Sequence, residues 1–271
     1  MARVYKVGVI GCGDYLKIMS SGLKASKRIE LTHFFDVNTK RAADCARAFN
    51  GQAVGSSDEL LADKDIDMLV MFVPPWVRRQ LLCQAVAAGK HVLTTKPLAP
   101  NTAECQKMIR AAQQSKMKVG VIYNRTSNSA VETMKQIFVR GSIGKLALYR
   151  QDWIHHYPQW NNWALDPQKN GGPFMDAMIH NLNIVRYLMG RSATVGTMFS
   201  DRHSHPQLTC ADTESLKLDF TEHGSAHLFI TWAADLAVYS TKGNQREHID
   251  WCYGVTDQGW RITMTKKMVK M

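Results

Sequence analysis

The sequence predicts an α/β domain with a doubly wound parallel sheet, followed by an α+β domain with an open, mainly antiparallel sheet. The first domain is indicated by short apolar runs that alternate with amphipathic stretches from the N-terminus to Tyr123. The second is indicated by strict apolar–polar alternation later in the chain, which is typical of strands with one buried face. We place the boundary near Tyr123, which predicts domains of residues 1–122 and 123–271.

The first domain contains five apolar runs, each short and bounded as buried strands are. They are Val4–Ile10, Glu30–Asp36, Asp67–Val73, His91–Thr95 and Lys118–Tyr123. Helical stretches separate them, and a further helix follows the last run. These helices are predicted at Lys17–Ser26, Thr39–Asn50, Val77–Ala88, Thr102–Lys116 and Asn128–Arg140.

In the second domain, two alternating segments surround a turn at residues 222–224 and predict an antiparallel meander. The alternating apolar residues are Leu216, Leu218 and Phe220, then Ala226, Leu228, Ile230 and Trp232. One helix precedes them, over Pro173–Met189, with proline at its start and Gly190 just past its end.

The composition is that of a globular protein, with 45% hydrophobic and 21% charged residues in 271. The net charge of +11 is compatible with a nucleic-acid partner, an anionic cofactor or a merely basic surface. No apolar run is long enough to predict a membrane span, and the N-terminal residues do not form an export signal pattern. None of the six cysteines forms a Cys-x-x-Cys pair, so we expect reduced thiols and a cytoplasmic protein.

A dinucleotide-binding turn is indicated by Gly11-Cys12-Gly13, which follows the first apolar run and precedes a helix. Two glycines allow a tight turn whose backbone N–H groups approach a pyrophosphate at a helix N-terminus. Leu16 occupies the third position of the fingerprint, where glycine or alanine is usual. Asp36 ends the second apolar run and can accept hydrogen bonds from ribose hydroxyls. Its charge would repel a 2′-phosphate, so NAD is favoured over NADP.

Lys96 follows the apolar run His91–Thr95 and precedes Pro97. Ligands of open parallel sheets bind where the strands end, so Lys96 is expected beside the same crevice as the glycine turn. There it could hydrogen-bond a substrate hydroxyl and stabilise alkoxide character. An ordinary surface lysine beside a turn is the alternative.

Asp176, His180 and Asn183 are spaced i, i+4 and i+7 and would share one face of an α-helix. An apolar stripe on the opposite face would pack on the sheet. It comprises Met178, Leu182, Val185 and Met189. The polar face either contacts solvent or supplies a histidine base oriented by a carboxylate. No third ligand is spaced for a metal, so none is predicted.

These motifs in this order resemble the glucose–fructose oxidoreductase / inositol dehydrogenase / MocA family, with inositol dehydrogenase-like members the most similar. The matching segments are Val9–Gly13, Asp36, His91–Pro97, Tyr123–Arg125, Gly141–Leu146, Gly171–His180 and Arg186–Gly190. The resemblance implies an N-terminal Rossmann domain and a C-terminal α+β domain whose sheet mediates homodimer or homotetramer contacts.

The resemblance also implies roles for individual residues. Lys96 would be the catalytic lysine, His180 the general base or acid, and Asp176 its partner. Cofactor-binding residues would be Gly11, Gly13, Asp14, Tyr15, Asp36, Pro74, Lys96, Pro97 and Asn124. Substrate would contact Arg125, Trp163 and Asn183, although a core or interface role suits Trp163 equally well.

The sequence departs from the family pattern at four positions besides Leu16. Thr95 replaces a glutamate and Asn183 an aspartate. Pro75 and Arg78 stand in Val73-Pro74-Pro75-Trp76-Val77-Arg78, where the family more often has Thr-Pro-Asn-x-x-His. The chain is also short at its C-terminus compared with members of the family, so the last strands are expected to be missing.

We therefore expect an NAD(P)-dependent oxidoreductase that transfers hydride to or from a hydroxyl or carbonyl of a sugar, polyol or related molecule. One alternative is a relative that retains NAD and cleaves glycosidic bonds by transient oxidation. Another is a dinucleotide- or sugar-binding protein without turnover. A nucleic-acid partner is supported only by the charge, so neither nucleic acid nor membrane is predicted as a partner.

Overall fold

The computed structural model shows two compact units, Met1–Ile122 and Tyr123–Met271. It describes residues 2–154, 166, 168–169, 172–233, 237–240, 243–246, 249–264 and 269–270. Trp163 lies outside these described residues.

The first unit is built on a six-stranded sheet in which every pair of neighbours is parallel. Its strands are β1 (Tyr5–Ile10), β2 (Ile29–Phe35), β3 (Gln52–Ala53), β4 (Met68–Met71), β5 (His91–Thr95) and β6 (Val119–Ile122). The order β3-β2-β1-β4-β5-β6 reverses direction between β1 and β4. This is the Rossmann order, in which ligands bind at the reversal, outside the ends of the strands. The predicted fold class is confirmed.

Five helices connect these strands, and most begin at a residue that caps them. They are α1 (Asp14–Ala25), α2 (Thr39–Phe49), α3 (Ser57–Ala62), α4 (Pro75–Ala87) and α5 (Thr102–Gln114). The side chains of Asn38, Ser56 and Asn101 each accept a hydrogen bond from a backbone N–H in the first turn of α2, α3 and α5. The sequence prediction lacked α3 and β3 and placed the other elements within a few residues.

The second unit contains a seven-stranded mixed sheet of order β15-β14-β13-β7-β10-β9-β8. Its strands are β7 (Leu146–Ile154), β8 (Ala193–Asp201), β9 (Thr213–Phe220), β10 (Ser225–Thr231), β13 (Ile249–Thr256), β14 (Arg261–Met264) and β15 (Val269–Lys270). A separate hairpin joins β11 (Ala237–Ser240) to β12 (Gly243–Arg246). Only the β7–β10 pair of the seven-stranded sheet is parallel, so the prediction of a mainly antiparallel sheet is confirmed.

Two helices cover one face of this sheet, α6 (Ser129–Arg140) and α7 (Ile179–Met189). The core beneath them includes Met178 and Val185 from the helical segment and Leu218 and Leu228 from the strands. The predicted apolar stripe therefore does pack on the sheet. The predicted turn between β9 and β10 is also present, with positive φ angles at Glu222, His223 and Gly224.

The segment predicted as one helix over Pro173–Met189 is not a regular α-helix. Residues Phe174–Met178 form a π-helical turn, and the α-helical part begins at Ile179. A π-helical turn adds a residue to the hydrogen-bonded ring. The α-helical spacing from which we placed Asp176 on the same face as His180 is therefore interrupted, whereas His180 and Asn183 keep that spacing within α7.

No helix in the described part of the chain is long and apolar enough to cross a membrane. The six cysteines are free thiols, and three of them, Cys12, Cys210 and Cys252, are buried.

Candidate active site

The glycine turn joins β1 to α1 at the point where the sheet reverses direction. Gly11 has a φ of +96°, and a Cβ built on it would lie 2.5 Å from the carbonyl oxygen of Phe72. Only glycine fits this backbone, because a side chain would both strain the φ angle and collide with the chain after β4. Gly13, in contrast, has open space where a Cβ would be, with no atom within 4 Å.

Gly13 is also the residue that precedes α1, and no side chain caps the N–H groups of the first turn. Uncapped N–H groups and the helix dipole together favour an anion at this end of α1. The open space at Gly13 lets a phosphate approach the backbone closely. These residues therefore fit the pyrophosphate of a dinucleotide, and the contact itself stays a prediction.

Asp36 lies directly beside this turn. Its Oδ2 accepts a 2.7 Å hydrogen bond from the N–H of Cys12, and its Oδ1 accepts one of 2.8 Å from the N–H of Asn38. A carboxylate has about four lone-pair positions, so Asp36 retains acceptors for ribose hydroxyls. Its role in binding the ribose stays a prediction, and the structure shows that Asp36 also fixes the glycine turn.

Leu16 is 1% exposed and belongs to the core cluster formed with Val7, Val9 and Phe34 beneath α1. The larger side chain at the third fingerprint position is therefore accommodated in the helix–sheet packing. Asp14 and Tyr15 start the same helix. Asp14 is exposed and pairs with Lys17, whose hydrogen bond lowers the pKa of the Asp14 carboxyl.

Lys96 immediately follows β5, at the edge where all the parallel strands of this unit end, which we call the carboxyl edge. The Lys96–Pro97 peptide bond is cis, and Lys96 is half-buried. Pro74 lies at the same edge, where it precedes α4. The structure thus brings together at this edge the glycine turn, Asp36, Pro74 and Lys96.

Arg78 is a residue that sequence reasoning noted only as a departure from the family pattern. It is 1% exposed, and its guanidinium donates hydrogen bonds to carbonyl oxygens of the turns that follow β4 and β5. Burial lowers the pKa of Arg78 to about 10, which still leaves it protonated at neutral pH. The sequence did not predict this contact, because a long basic residue in the first turn of a helix does not reveal which groups will accept its hydrogen bonds.

In the second unit, a short 3₁₀ turn at Asn124–Ser127 contacts the start of α7. The guanidinium carbon of Arg125 lies 4.1 Å from the ring centre of Trp153, and its Nη1 donates a 3.5 Å hydrogen bond to Oδ1 of Asn181. The rings of Tyr123 and His180 meet edge to face, with centroids 6.2 Å apart. Arg125 and His180 are therefore brought together, with Tyr123, Trp153 and Asn181 as supporting residues that we had not predicted.

The other predicted residues of this unit occupy varied positions. Asp176 lies in the π-helical turn, Asn183 is half-buried in α7, and Asn124 is exposed at the start of the 3₁₀ turn. Trp163 falls outside the described residues. Among the described residues, no three His, Cys, Asp or Glu side chains are grouped so that they could hold a metal ion.

The fold and the glycine turn define the first unit as a dinucleotide-binding Rossmann domain. Residues 5–123 match the model of an oxidoreductase family with an NAD-binding Rossmann fold, and residues 131–268 match the Gfo/Idh/MocA C-terminal domain. The chain belongs to the Gfo/Idh/MocA oxidoreductase family. The resemblance drawn from the sequence is thereby confirmed, together with NAD as the cofactor of the fold.

Among similar proteins, 1,5-anhydro-D-fructose reductase of Ensifer adhaerens is 25% identical over 185 residues, which cover 67% of this chain and 56% of the reductase. Glucose-6-phosphate 3-dehydrogenase of Bacillus subtilis is 25% identical over 194 residues, 68% of this chain and 53% of that enzyme. The matches thus span little more than half the length of these curated relatives.

The fold is shared with levoglucosan dehydrogenase in complex with NADH and L-sorbose. That structure superposes with a TM-score of 0.84 at 20% identity, over 96% of this chain and 73% of the dehydrogenase.

Proposed function

We propose that this protein is an NAD-dependent oxidoreductase that transfers hydride between nicotinamide and a hydroxyl or carbonyl carbon of a sugar, polyol or related small molecule. The observation that carries this proposal is the carboxyl edge of the Rossmann unit. An uncapped helix N-terminus and Asp36 suited to a dinucleotide lie there, and Lys96 follows a strand of the same sheet.

The strand order supports the role of Lys96. β5 is separated from β1 by one strand, so their ends are roughly 10 Å apart at ordinary strand spacing. A dinucleotide whose pyrophosphate is seated on α1 can extend across the strand ends toward Lys96. An ammonium in that position would donate a hydrogen bond to the reacting oxygen and stabilise negative charge on it.

When NAD is bound, its nicotinamide supplies the hydride acceptor. Loss of hydride from an alcohol carbon also requires that the hydroxyl proton be removed. We assign this proton to His180, because imidazole is the side chain best suited to accept a proton near neutral pH. Asp176 is assigned to substrate binding beside His180. Both assignments follow from the family resemblance and from the position of His180 at the start of α7, with Asp176 in the π-helical turn directly before it.

Substrate contacts are assigned to Arg125 and Asn183, with Asn124 beside the nicotinamide. The stacking of Arg125 on Trp153 and its bond to Asn181 hold its guanidinium close to the residues that surround His180. The similarity to sugar-acting reductases and dehydrogenases supports sugars and polyols as the substrate class. The preference for NAD over NADP rests on Asp36, whose negative charge disfavours a 2′-phosphate.

The proposal is tested by turnover and product analysis with a panel of sugars and polyols. Wild-type protein should reduce NAD with at least one of them, whereas Lys96→Ala and His180→Ala should each lower kcat/KM at least 100-fold. Lys107→Ala and His223→Ala are the controls, since Lys107 pairs with Glu104 on α5 and His223 is exposed on the turn between β9 and β10. Unchanged turnover in the first two variants would refute the assigned roles. Release of an aglycone without net NADH would instead indicate the glycosidase, and tight NAD binding without turnover a binding protein.

We also propose that the second unit forms a homodimer or homotetramer through the sheet face opposite α6 and α7. Strand register places a row of side chains across five strands of this face, and these are Trp251, Asp152, Phe229, Ser215 and Phe199. Phe199 is 65% exposed and Trp251 44% exposed. Large exposed aromatic side chains on a sheet indicate an interface. Phe199→Lys should reduce the mass measured by light scattering to that of the monomer, whereas Ile18→Lys, the same kind of change at an exposed residue of α1, should not.

A further inference from the structure

Arg78 of α4 links two turns of the Rossmann unit through hydrogen bonds from its guanidinium to their backbone carbonyls. Its Nη1 donates hydrogen bonds to the carbonyl oxygens of Thr95 at 2.7 Å and Leu98 at 3.2 Å, and also to that of Pro97. Its Nη2 donates one of 2.5 Å to the carbonyl oxygen of Val73. One side chain therefore bonds to four backbone carbonyls.

These carbonyls belong to the two turns that end neighbouring strands at the carboxyl edge. Val73 lies two residues beyond the end of β4, directly before Pro74. Thr95 and Pro97 are the residues on either side of Lys96. Arg78 thus fixes the backbone of Lys96 from both sides and sets the distance of this turn from that of Pro74.

The contact is made at a considerable electrostatic cost. A guanidinium that is 1% exposed has lost its hydration, and burial alone is enough to lower its pKa. In the described structure its acceptors are carbonyl oxygens, and its Nε is buried without an acceptor. A buried cation with this arrangement is better explained by the geometry it imposes than by net stability, since the desolvation of the charge offsets much of what its hydrogen bonds contribute.

We propose that Arg78 is a positioning residue for dinucleotide binding and for Lys96. By donating hydrogen bonds to the turns after β4 and β5, it holds them in the relative position that the cofactor requires. This inference rests on the proposed function only for the role of Lys96, because cofactor binding can be measured without a substrate.

Lys90 provides a matched control within the same unit. It is 5% exposed, and its Nζ donates to the carbonyl oxygens of Asp63 and, at 2.7 Å, Ile66. Lys90 directly precedes β5, whereas Arg78 binds the turn that follows it. Both residues are buried cations bonded to carbonyls, but they act at opposite ends of one strand. Loss of either should cost stability, and only loss of Arg78 should disturb the cofactor edge.

The experiment compares Arg78→Met, Arg78→Lys and Lys90→Met in the full chain, with unfolding by urea and NADH affinity by fluorescence titration. We expect all three to be less stable than the wild type. The Kd for NADH should rise at least tenfold in Arg78→Met, about three- to fivefold in Arg78→Lys, and less than twofold in Lys90→Met. Hydrogen exchange in the unliganded protein should accelerate over residues 94–99 in the Arg78 variants only.

A folded Arg78→Met variant that binds NADH within twofold of the wild type would overturn the inference, as would an equal loss in Lys90→Met. If Arg78→Met does not fold, Arg78→Lys decides by the same criterion, and its binding NADH within twofold would overturn the inference. If the wild-type protein does not bind NADH, both the inference about Arg78 and the proposed binding of the cofactor are wrong. A wild type that binds NADH but oxidises no sugar or polyol refutes only the proposed function.

Discussion

Glu214 accepts a 2.6 Å hydrogen bond at its Oε2 from the backbone N–H of Phe174, the first residue of the π-helical turn before α7. Glu214 lies in β9 and is buried. Burial raises its pKa to about 7, against the opposing effect of hydrogen bonds from Phe174 and Ser200. A carboxyl group that titrates near neutral pH therefore anchors the segment that carries Asp176 and His180.

This anchor predicts a pH-dependent stability. The folded state binds the Glu214 proton more tightly than the unfolded state, so the stability that Glu214 contributes is greatest below about pH 4.5 and falls as pH rises to about 7. The loss amounts to at most about 3 kcal/mol. Glu214→Gln resembles the protonated form and should remove this loss, so the variant should be more stable than the wild type at pH 8. Urea unfolding at several pH values measures the difference.

Glu222→Gln is the control for that measurement, because Glu222 is exposed on the turn between β9 and β10. It should leave the pH dependence of the wild type intact. A Glu214→Gln variant whose free energy of unfolding falls between pH 5 and 8 as steeply as the wild type's would show that Glu214 is not the titrating group.

Asp212 predicts the opposite behaviour in the loop after β8. Burial favours its neutral form, but hydrogen bonds from the N–H groups of His203, Ser204 and His205 and from the Thr213 hydroxyl outweigh it and lower the pKa to about 2. The stability it contributes is present above about pH 4 and lost as pH falls to about 2. Asp212→Asn should lower the free energy of unfolding at pH 7 by about 2 kcal/mol. Asp219→Asn, a change at a partly exposed residue of β9 in the same sheet, should change it by less than about 0.5 kcal/mol.

The sequence predicted the Rossmann unit well because its strands are near-continuous apolar runs with helices between them. It did not predict α3, which has six residues, although Ser56 and Glu59 form the hydrogen-bonded pair that commonly starts a helix. The sequence also did not predict that β7 and β10 pair in parallel. Alternation shows that a strand has a buried face, but not which distant strand pairs with it.

The candidate site was predictable where the order of strands and motifs along the chain is enough to place a residue. Gly11, Asp36 and Lys96 each follow a strand, and parallel strands end at one edge, so their proximity follows from the fold. Arg78 was not predictable in this way, because its acceptors include carbonyls 17 to 20 residues further along the chain. The π-helical turn before His180 likewise left no periodic signal in the sequence.

Asp36 predicts the choice between the two dinucleotides. Asp36→Asn removes the charge that repels a 2′-phosphate and keeps an amide oxygen for one of the two backbone N–H groups. The ratio of the NADPH Kd to the NADH Kd should fall at least tenfold, as measured by fluorescence titration. Asp44→Asn, an exposed change on α2, should leave this ratio unchanged. An unchanged ratio in Asp36→Asn would show that Asp36 does not select the cofactor.

The two glycines of the turn predict separable effects on folding and on cofactor binding. In Gly11→Ala the new methyl group would meet the Phe72 carbonyl oxygen at 2.5 Å, at a φ of +96° that alanine rarely adopts. We expect a loss of about 2 kcal/mol or more in the free energy of unfolding.

In Gly13→Ala the methyl group would enter open space at a φ of −83°, so stability should change by less than about 1 kcal/mol. That open space lies at the uncapped N-terminus of α1, where the pyrophosphate is expected to approach the backbone. The Kd for NADH should therefore rise at least tenfold in a variant that unfolds at nearly the same urea concentration as the wild type. If Gly13→Ala binds NADH as tightly as the wild type does, the pyrophosphate does not contact this end of α1, and the position assigned to the dinucleotide is wrong.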